Sequence, residues 1–157
     1  MGTVVGAVID YLVTQLPAPA AAVNPGAIIV DGNTNDEIGP AMIYIGRAQP
    51  EDLQAGTNTR IIPVLGTRRV QERISVPCFV DCLADGTAQK TSRDLALALY
   101  DVVCHLVAND PGLSGVLSSP YYAQVTNVQL IQPDPPTTAQ SRAVLLFDVT
   151  AENRYLA

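Results

Sequence analysis

The chain has 157 residues, which is a usual length for one domain, and 48% of them are apolar. Charged residues make up only 15%, against roughly a quarter in typical soluble domains, and the formal net charge is −6. This composition excludes a disordered chain. A surface with few charges is also typical of proteins whose surface is partly covered by partner proteins. The composition also excludes a sequence-independent DNA-binding protein, because such a protein needs a basic stripe along the phosphates.

The first segment, residues 3–16, is predicted to be a short helix, because apolar residues such as Val8 and Leu12 recur at helical spacing. It has no basic flank and is too short to span a bilayer, so we expect neither a signal peptide nor a transmembrane helix. Pro17 predicts the end of this helix and the start of a stiff, partly extended connector over residues 17–26.

Two short apolar strands are predicted next, at residues 27–30 and 41–46, with a loop rich in Gly, Asn and Asp between them. We expect these strands to pair as an antiparallel hairpin with a long tip. Residues 47–69 show no clear period, and for them we expect an arm or loop that orders on a partner. The alternative for this stretch is a strand at residues 59–64.

Residues 70–84 give the clearest strand pattern, since apolar and polar side chains alternate along them. Pro77 predicts an edge or a bulge in this strand, because proline has no N–H for the ladder. Residues 91–109 are the clearest helix, which Thr91 is expected to cap. Its predicted buried stripe consists of Leu95, Leu99, Val102, Val103 and Leu106.

Two closing strands are predicted at residues 121–132 and 142–152, separated by a loop at 133–140 that is too long for a tight turn. The order of elements predicts an α+β fold: a mostly antiparallel sheet with helices packed on one face and a long extended arm. We expect residues 1–157 to form a single domain.

The residues that could support catalysis do not form a recognisable site. The three cysteines, Cys78, Cys82 and Cys104, are an odd number and do not indicate a disulfide framework, so we expect buried, reduced thiols. His105 could act as a base oriented by Asp101, one turn earlier, for a cysteine nucleophile, but no signature of a cysteine enzyme surrounds it. No phosphate-binding glycine loop and no zinc-ligand spacing occurs. We therefore expect no catalytic residue, no metal site and no cofactor.

The densest cluster of charges lies where the expected arm enters the long strand. One interpretation is a patch of surface salt bridges. The other is that arginines of one copy meet the acidic surface of an identical neighbour, as in a ring of head-to-tail subunits. The candidate subunit-interface residues are Arg60, Arg68, Arg69, Glu72 and Arg73.

The order of elements over residues 69–157 resembles the tail terminator proteins of long-tailed bacteriophages, which are also called tail completion or minor tail proteins. The shared pattern is a long alternating strand at 73–83, an amphipathic helix at 91–108 opened by a threonine, and a closing pair of strands within 121–155. The predicted N-terminal helix also fits this pattern. The resemblance is one of pattern and covers most of the chain.

The resemblance implies a structural virion protein that assembles as a ring, usually a hexamer, on the last disc of the tail tube. Such a ring stops tube growth and offers a surface to the head–tail connector protein, so the implied place is the tail–head junction, after assembly in the host cytoplasm. DNA would pass through the lumen without specific binding, which suits an acidic protein because like charges repel. The alternatives are another connector or neck protein and, in a different class, a monomeric binding module. No membrane partner is expected.

Overall fold

The computed structural model describes residues 4–32, 40–47, 50, 60–65, 69–118, 120–135 and 137–156, with the backbone alone for 60–65, 69–71 and 154–156. The helices in this part of the chain are α1 (Val5–Gln15), α2 (Pro17–Val23) and α3 (Gln89–Asn109). The strands are β1 (Ile28–Asp31), β2 (Ala41–Ile45), β3 (Arg60–Leu65), β4 (Arg69–Asp85), β5 (Ala123–Ile131) and β6 (Gln140–Leu156).

The six strands of the described residues form one sheet in the order β1–β2–β4–β6–β5, with β3 also paired to β4. Every pairing is antiparallel except that of β1 with β2, which confirms the predicted α+β class and mostly antiparallel sheet.

The predicted antiparallel hairpin of β1 and β2 is wrong, because these two strands run in the same direction. Ile28 lies opposite Met42, and Asp31 lies opposite Ile45. Both strands are largely apolar, and the segment that links them is too long for turn residues to fix the direction of the second strand. The sequence pattern therefore could not distinguish parallel from antiparallel pairing.

The predicted extended connector at 17–26 is also wrong, because most of it forms the helix α2. Pro17 occupies the first helical position, where a missing N–H costs nothing and the fixed φ angle suits a helix. The alanines that follow have the highest helix propensity of all residues. Leu16 and Ala20 are both buried, and the N–H of Ala20 donates to the carbonyl of Leu16 over 3.0 Å.

The two other helices were predicted at nearly their observed bounds. In α3, Leu99, Val102 and Val103 are buried as expected, whereas Leu95 and Leu106 of the predicted stripe are only partly buried. The predicted cap is wrong, because the N-cap is Ala88 and it makes no side-chain bond, so Thr91 already lies inside the helix. None of the helices described in this chain is long and apolar enough to cross a membrane.

The long strand β4 has β6 along one edge for its whole length, and two strands share its other edge. On that edge β2 pairs with residues 78–82 and β3 pairs with residues 70–75. In the described chain Pro77 therefore has a partner in β6 and none on the shared edge, so this position is a local edge, as predicted. A proline is tolerated there because no ladder bond on that side requires its N–H.

Beyond this junction β3, β4 and β6 continue together as a three-stranded extension, which comprises residues 60–65, 69–75 and 151–156. The predicted arm or loop that orders on a partner is consequently wrong for residues 60–65, where the alternative of a strand is observed. Residues 48–49, 51–59 and 66–68 of the same stretch lie outside the described residues.

One hydrophobic core joins the sheet to the helices. Alternate residues of the long strands face it, since side chains of a strand point to opposite faces in turn. All three helices contribute, with Val8 and Leu12 from α1, Ala20 from α2, and Leu99 and Val103 from α3. The strand residues in this cluster include Ile43, Ile45, Val76, Cys78, Val80, Cys82, Ala143, Leu145, Phe147 and Val149.

Candidate functional site

The three-stranded extension, together with the three residues between β3 and β4 in the sequence, has a large share of the positive charge. Segments 60–75 and 151–156 contain five of the nine basic residues but only two of the fifteen acidic ones. Their formal charge is +3, which leaves −9 for the rest of the chain, since the total is −6. Among the residues that the structure describes, the extension has four basic and two acidic residues, and the remainder, which we call the body, has four basic and nine acidic residues. In this part of the chain a basic extension is therefore joined to an acidic body. The five basic residues of segments 60–75 and 151–156 are Arg60, Arg68, Arg69, Arg73 and Arg154.

Arg73 is an exposed member of the predicted interface set. Its Nε lies 3.1 Å from Oε1 of Glu152, the residue opposite it in β6. The two side chains are 59% and 45% exposed, and an ion pair this open stabilises a fold by only about 0–1 kcal/mol. Because water screens the pair so well, both charges can also interact with a second chain.

Glu72 has a role inside the single chain. Its side chain faces the helices and is 1% exposed, and its Oε2 accepts a hydrogen bond of 3.2 Å from the backbone N–H of Val4. The first turn of α1 has no acidic residue and no side-chain cap of its own. The carboxylate thus sits at the positive end of the helix dipole. A part for Glu72 at a subunit interface stays a prediction.

For the remaining arginines of the predicted interface set, the structure describes at most the backbone. Arg60 lies opposite Ser75 and Arg69 opposite Leu156, so they mark the two ends of the three-stranded extension. Arg68 lies outside the described residues. Interface roles for these three residues stay predictions.

A second hydrogen bond joins the extension to the segment that follows α3. Asn153 is buried, and its Oδ1 accepts a hydrogen bond of 2.8 Å from the backbone N–H of Ser118. Asn153 is the register partner of Glu72, so the two anchors lie side by side on the same face of the sheet. Two hydrogen bonds therefore connect the base of the extension to the rest of the fold.

A groove of about 360 Å³ lies where the extension leaves the body of the sheet. The pairing of β5 with β6 starts at Ala123 and Ala151, so the two tyrosines before Ala123 lie outside the ladder. Tyr122 is 58% exposed there. Aromatic rings beside arginine are typical of the centres of protein–protein interfaces. The walls of the groove include Arg73, Ser75, Tyr121, Tyr122, Gln124 and Glu152.

The face of the sheet that points away from the hydrophobic core has a largely buried aromatic and ionic cluster that the sequence analysis missed, in which Arg47, Phe79 and Arg142 are buried and Tyr44 and Asp81 are partly exposed. The rings of Tyr44 and Phe79 stack with centroids 4.3 Å apart, and the guanidinium of Arg47 lies 5.5 and 5.9 Å from them. Beside them Arg142 donates two hydrogen bonds, of 3.0 and 2.8 Å, to the carboxylate of Asp81. The alternating pattern marked Asp81 only as polar, and no local signal links it to a residue 61 positions away.

The cysteines and the histidine lie apart from these surfaces. Burial raises the pKa of the Cys78 thiol and of the Cys82 thiol to about 12, and burial also raises the pKa of half-buried Cys104. Such thiols are protonated near neutral pH, which is the opposite of what a nucleophile needs. His105 lies on the exposed side of α3. Across the residues that the structure describes, no group of three or more His, Cys, Asp or Glu could hold a metal ion.

Comparison with solved structures shows that this fold is shared with a chain of a virion. The chain is similar to a chain in the virion of a native gene transfer agent particle, with a TM-score of 0.51 and 14% sequence identity. The similarity covers 98% of this chain and 100% of the other. At this identity the likeness shows a shared fold over the whole length. No protein-family model and no curated protein sequence matches the chain.

Proposed function

We propose that this chain is a structural subunit of a phage-like particle, and that copies of it form a ring which caps the tail tube and stops its growth. The observation that carries this proposal is the shared fold with a virion chain, since the likeness extends over 98% of one chain and 100% of the other. A coincidental likeness of one motif would cover a smaller part of both.

The distribution of charge supports association between copies. A basic extension on an acidic body gives each copy two unlike surfaces of opposite sign, and such surfaces favour a head-to-tail contact over a two-fold one. Head-to-tail contacts close into rings when the rotation between neighbours permits. A hexamer is the ring size that the resemblance to tail terminators implies.

The partners follow from this position at the junction of tail and head. One side of the ring would rest on the last disc of tail tube protein, and the other would receive the head–tail connector protein. The net charge of −6 would let DNA pass through the lumen without sticking, because the phosphates are repelled. A neck protein that seats on the portal is the alternative within the same class.

The proposal is tested by adding the purified chain to tail tubes of its own particle while they polymerise, followed by electron microscopy. We expect tubes of limited length with an added ring at one end. The charge-reversed variant Arg68→Glu/Arg69→Glu should need at least tenfold more protein for the same effect. The matched control Lys90→Glu/Arg93→Glu changes the net charge equally but alters α3, and it should cap like the wild type. Tubes that grow on uncapped at saturating wild-type protein would contradict the proposal.

A further inference from the structure

The three-stranded extension has two open edges among the described strands. On one side β3 pairs with β4, and no other described strand pairs with it. On the other side β6 continues to Leu156, although Ala151 is its last residue with a partner in β5. Backbone N–H and C=O groups along an open edge are a template for a further strand.

The two outer strands of the rest of the sheet, β1 and β5, are less suited to pairing with a strand of another chain. At one side β1 is only four residues long. At the other side β5 contains a bulge between Thr126 and Gln129, where Asn127 has a φ of +58° and its side-chain amide donates to Asp148 over 2.9 Å. Short edges and bulges are the features by which proteins block edge-to-edge association. The extension is less protected, since only Pro63 removes a donor from β3.

We propose that the outer edge of β3 in one copy pairs with residues 153–156 of β6 in the next copy. This inference rests on the proposed function and assigns the contact that closes the ring. The occupant is a second copy because the two edges differ and lie on opposite sides of the same extension. Each pairing therefore leaves one edge of each kind open for the next subunit.

The strand directions determine the kind of pairing. Both β3 and β6 run antiparallel to β4, so they run parallel to each other. The rotation between neighbours in a hexameric ring is only about 60°, which cannot reverse a strand, so β6 of one copy meets β3 of the next in a parallel sense. Pairing of two β6 edges about a two-fold axis would be antiparallel instead and would stop at a dimer.

The groove beside the β6 edge supplies side-chain contacts for the incoming strand. Tyr122 offers an exposed aromatic surface, and Glu152 places a half-exposed carboxylate at this edge. The strand β3 begins with Arg60, so the incoming strand brings a positive charge to within two residues of the position level with Glu152. The backbone hydrogen bonds would hold the two strands together, and an arginine–glutamate pair at the border of the contact would add specificity.

The test is disulfide trapping in the full chain with Cys104→Ser as background. Val64 and Arg154 both lie opposite Gln71, so they are level in the extension. We expect Val64→Cys/Arg154→Cys, or Val64→Cys/Leu156→Cys if the register is shifted, to give a ladder of linked oligomers on oxidation. Either single variant should give no ladder. Dimers from Arg154→Cys alone would show two-fold pairing and overturn the inference.

Hydrogen exchange of the wild-type chain tests the same contact without substitutions. On ring formation we expect amide exchange over residues 60–65 and 153–156 to slow at least tenfold, while residues 28–31 are unchanged. A ring that forms without this protection would overturn the edge pairing and leave the proposed function intact. A chain that never assembles, with tail tubes or without them, would overturn both.

Discussion

The carboxylate of Glu72 accepts a hydrogen bond from the backbone N–H of Val4, and this bond of 3.2 Å joins the three-stranded extension to the start of α1. The two residues are 68 positions apart in the chain. A buried side chain on the extension therefore replaces the local cap that α1 lacks. The position of the basic extension relative to the acidic body thus depends on this contact.

Removal of this contact should destabilise the fold. We expect Glu72→Ala to lower the free energy of unfolding by about 1–2 kcal/mol, because an N-terminal N–H of α1 loses its acceptor. The control Glu152→Ala removes an exposed carboxylate from the same extension and should cost no more than about 0.5 kcal/mol. Equal losses for both variants in urea unfolding would show that the cap contributes nothing specific.

The contact between α1 and the end of α3 should depend on pH. The hydroxyl of Tyr11 donates to Asp110 over 2.7 Å, and bonds from Ser114 and Tyr11 lower the pKa of Asp110 below its usual 3.8. A depressed pKa stabilises the fold above the unfolded-state value, and that stability is lost as the pH falls through the folded-state value. Burial raises the pKa of Tyr11 from 10.0 to about 12, so its contribution is present below pH 10 and is lost towards pH 12.

The directions of these two pKa shifts predict that two tyrosine variants differ in how their stability depends on pH. Tyr11→Phe should lower the urea midpoint at pH 7 and flatten the loss of stability both below pH 4 and above pH 10. Tyr122→Phe removes an exposed hydroxyl and should leave the profile of the wild type unchanged. A Tyr11→Phe profile parallel to that of the wild type would mean that this bond does not couple folding to pH.

The stability of the fold should be sensitive to the loss of either partner of the Asp81–Arg142 ion pair, which lies on the face of the sheet away from the hydrophobic core. Asp81→Ala leaves the buried guanidinium of Arg142 without its bidentate partner, and we expect a loss of about 3 kcal/mol. The double variant Asp81→Leu/Arg142→Met should recover most of that loss, because apolar residues need no partner. The exposed pair Arg73–Glu152 is the matched control, and its double-mutant cycle should give less than about 1 kcal/mol. A small, additive effect at Asp81 would contradict this account.

The thiols should be slow to react in the folded chain. Burial raises the pKa of Cys78 and of Cys82 from 9.0 to about 12, so these thiols stay protonated at neutral pH, and both side chains are also inaccessible to reagents. We expect a water-soluble maleimide to label Cys104 first and the two others only after unfolding. Rapid labelling of Cys78 or Cys82 at neutral pH would contradict the packing described here and favour a cysteine-dependent enzyme.

Prediction from sequence patterns was accurate for the elements with strong periodicity. It failed for elements whose structure depends on residues distant in the chain. Both β4 and α3 were predicted within two residues of their observed ends, because their apolar residues repeat at one clear period over more than 15 residues. The helix α2 was missed because its prolines were interpreted as helix breakers, although they lie in the first turn. The strand β3 is defined by its ladder to β4, and pairing partners are not visible in a local pattern.

The candidate site was predicted only in part for the same reason. The arginine cluster is local in sequence, so its density indicated the region of the extension. The register that brings Glu152 to Arg73, and the groove beside them, depend on the pairing of β4 with β6. The bond from Glu72 to α1 spans most of the first half of the chain, and a charged residue in an alternating strand is normally expected to face solvent.

The most direct test of the proposed function is the mass of the purified chain in solution, measured over a wide range of concentration with and without tail tubes from its own particle. We predict a closed oligomer of one defined size, either in the free protein or only when tubes are present, in which case the tube acts as the template. A chain that remains monomeric at all concentrations and does not bind the tubes would contradict the ring proposal and favour a neck protein or a monomeric binding module.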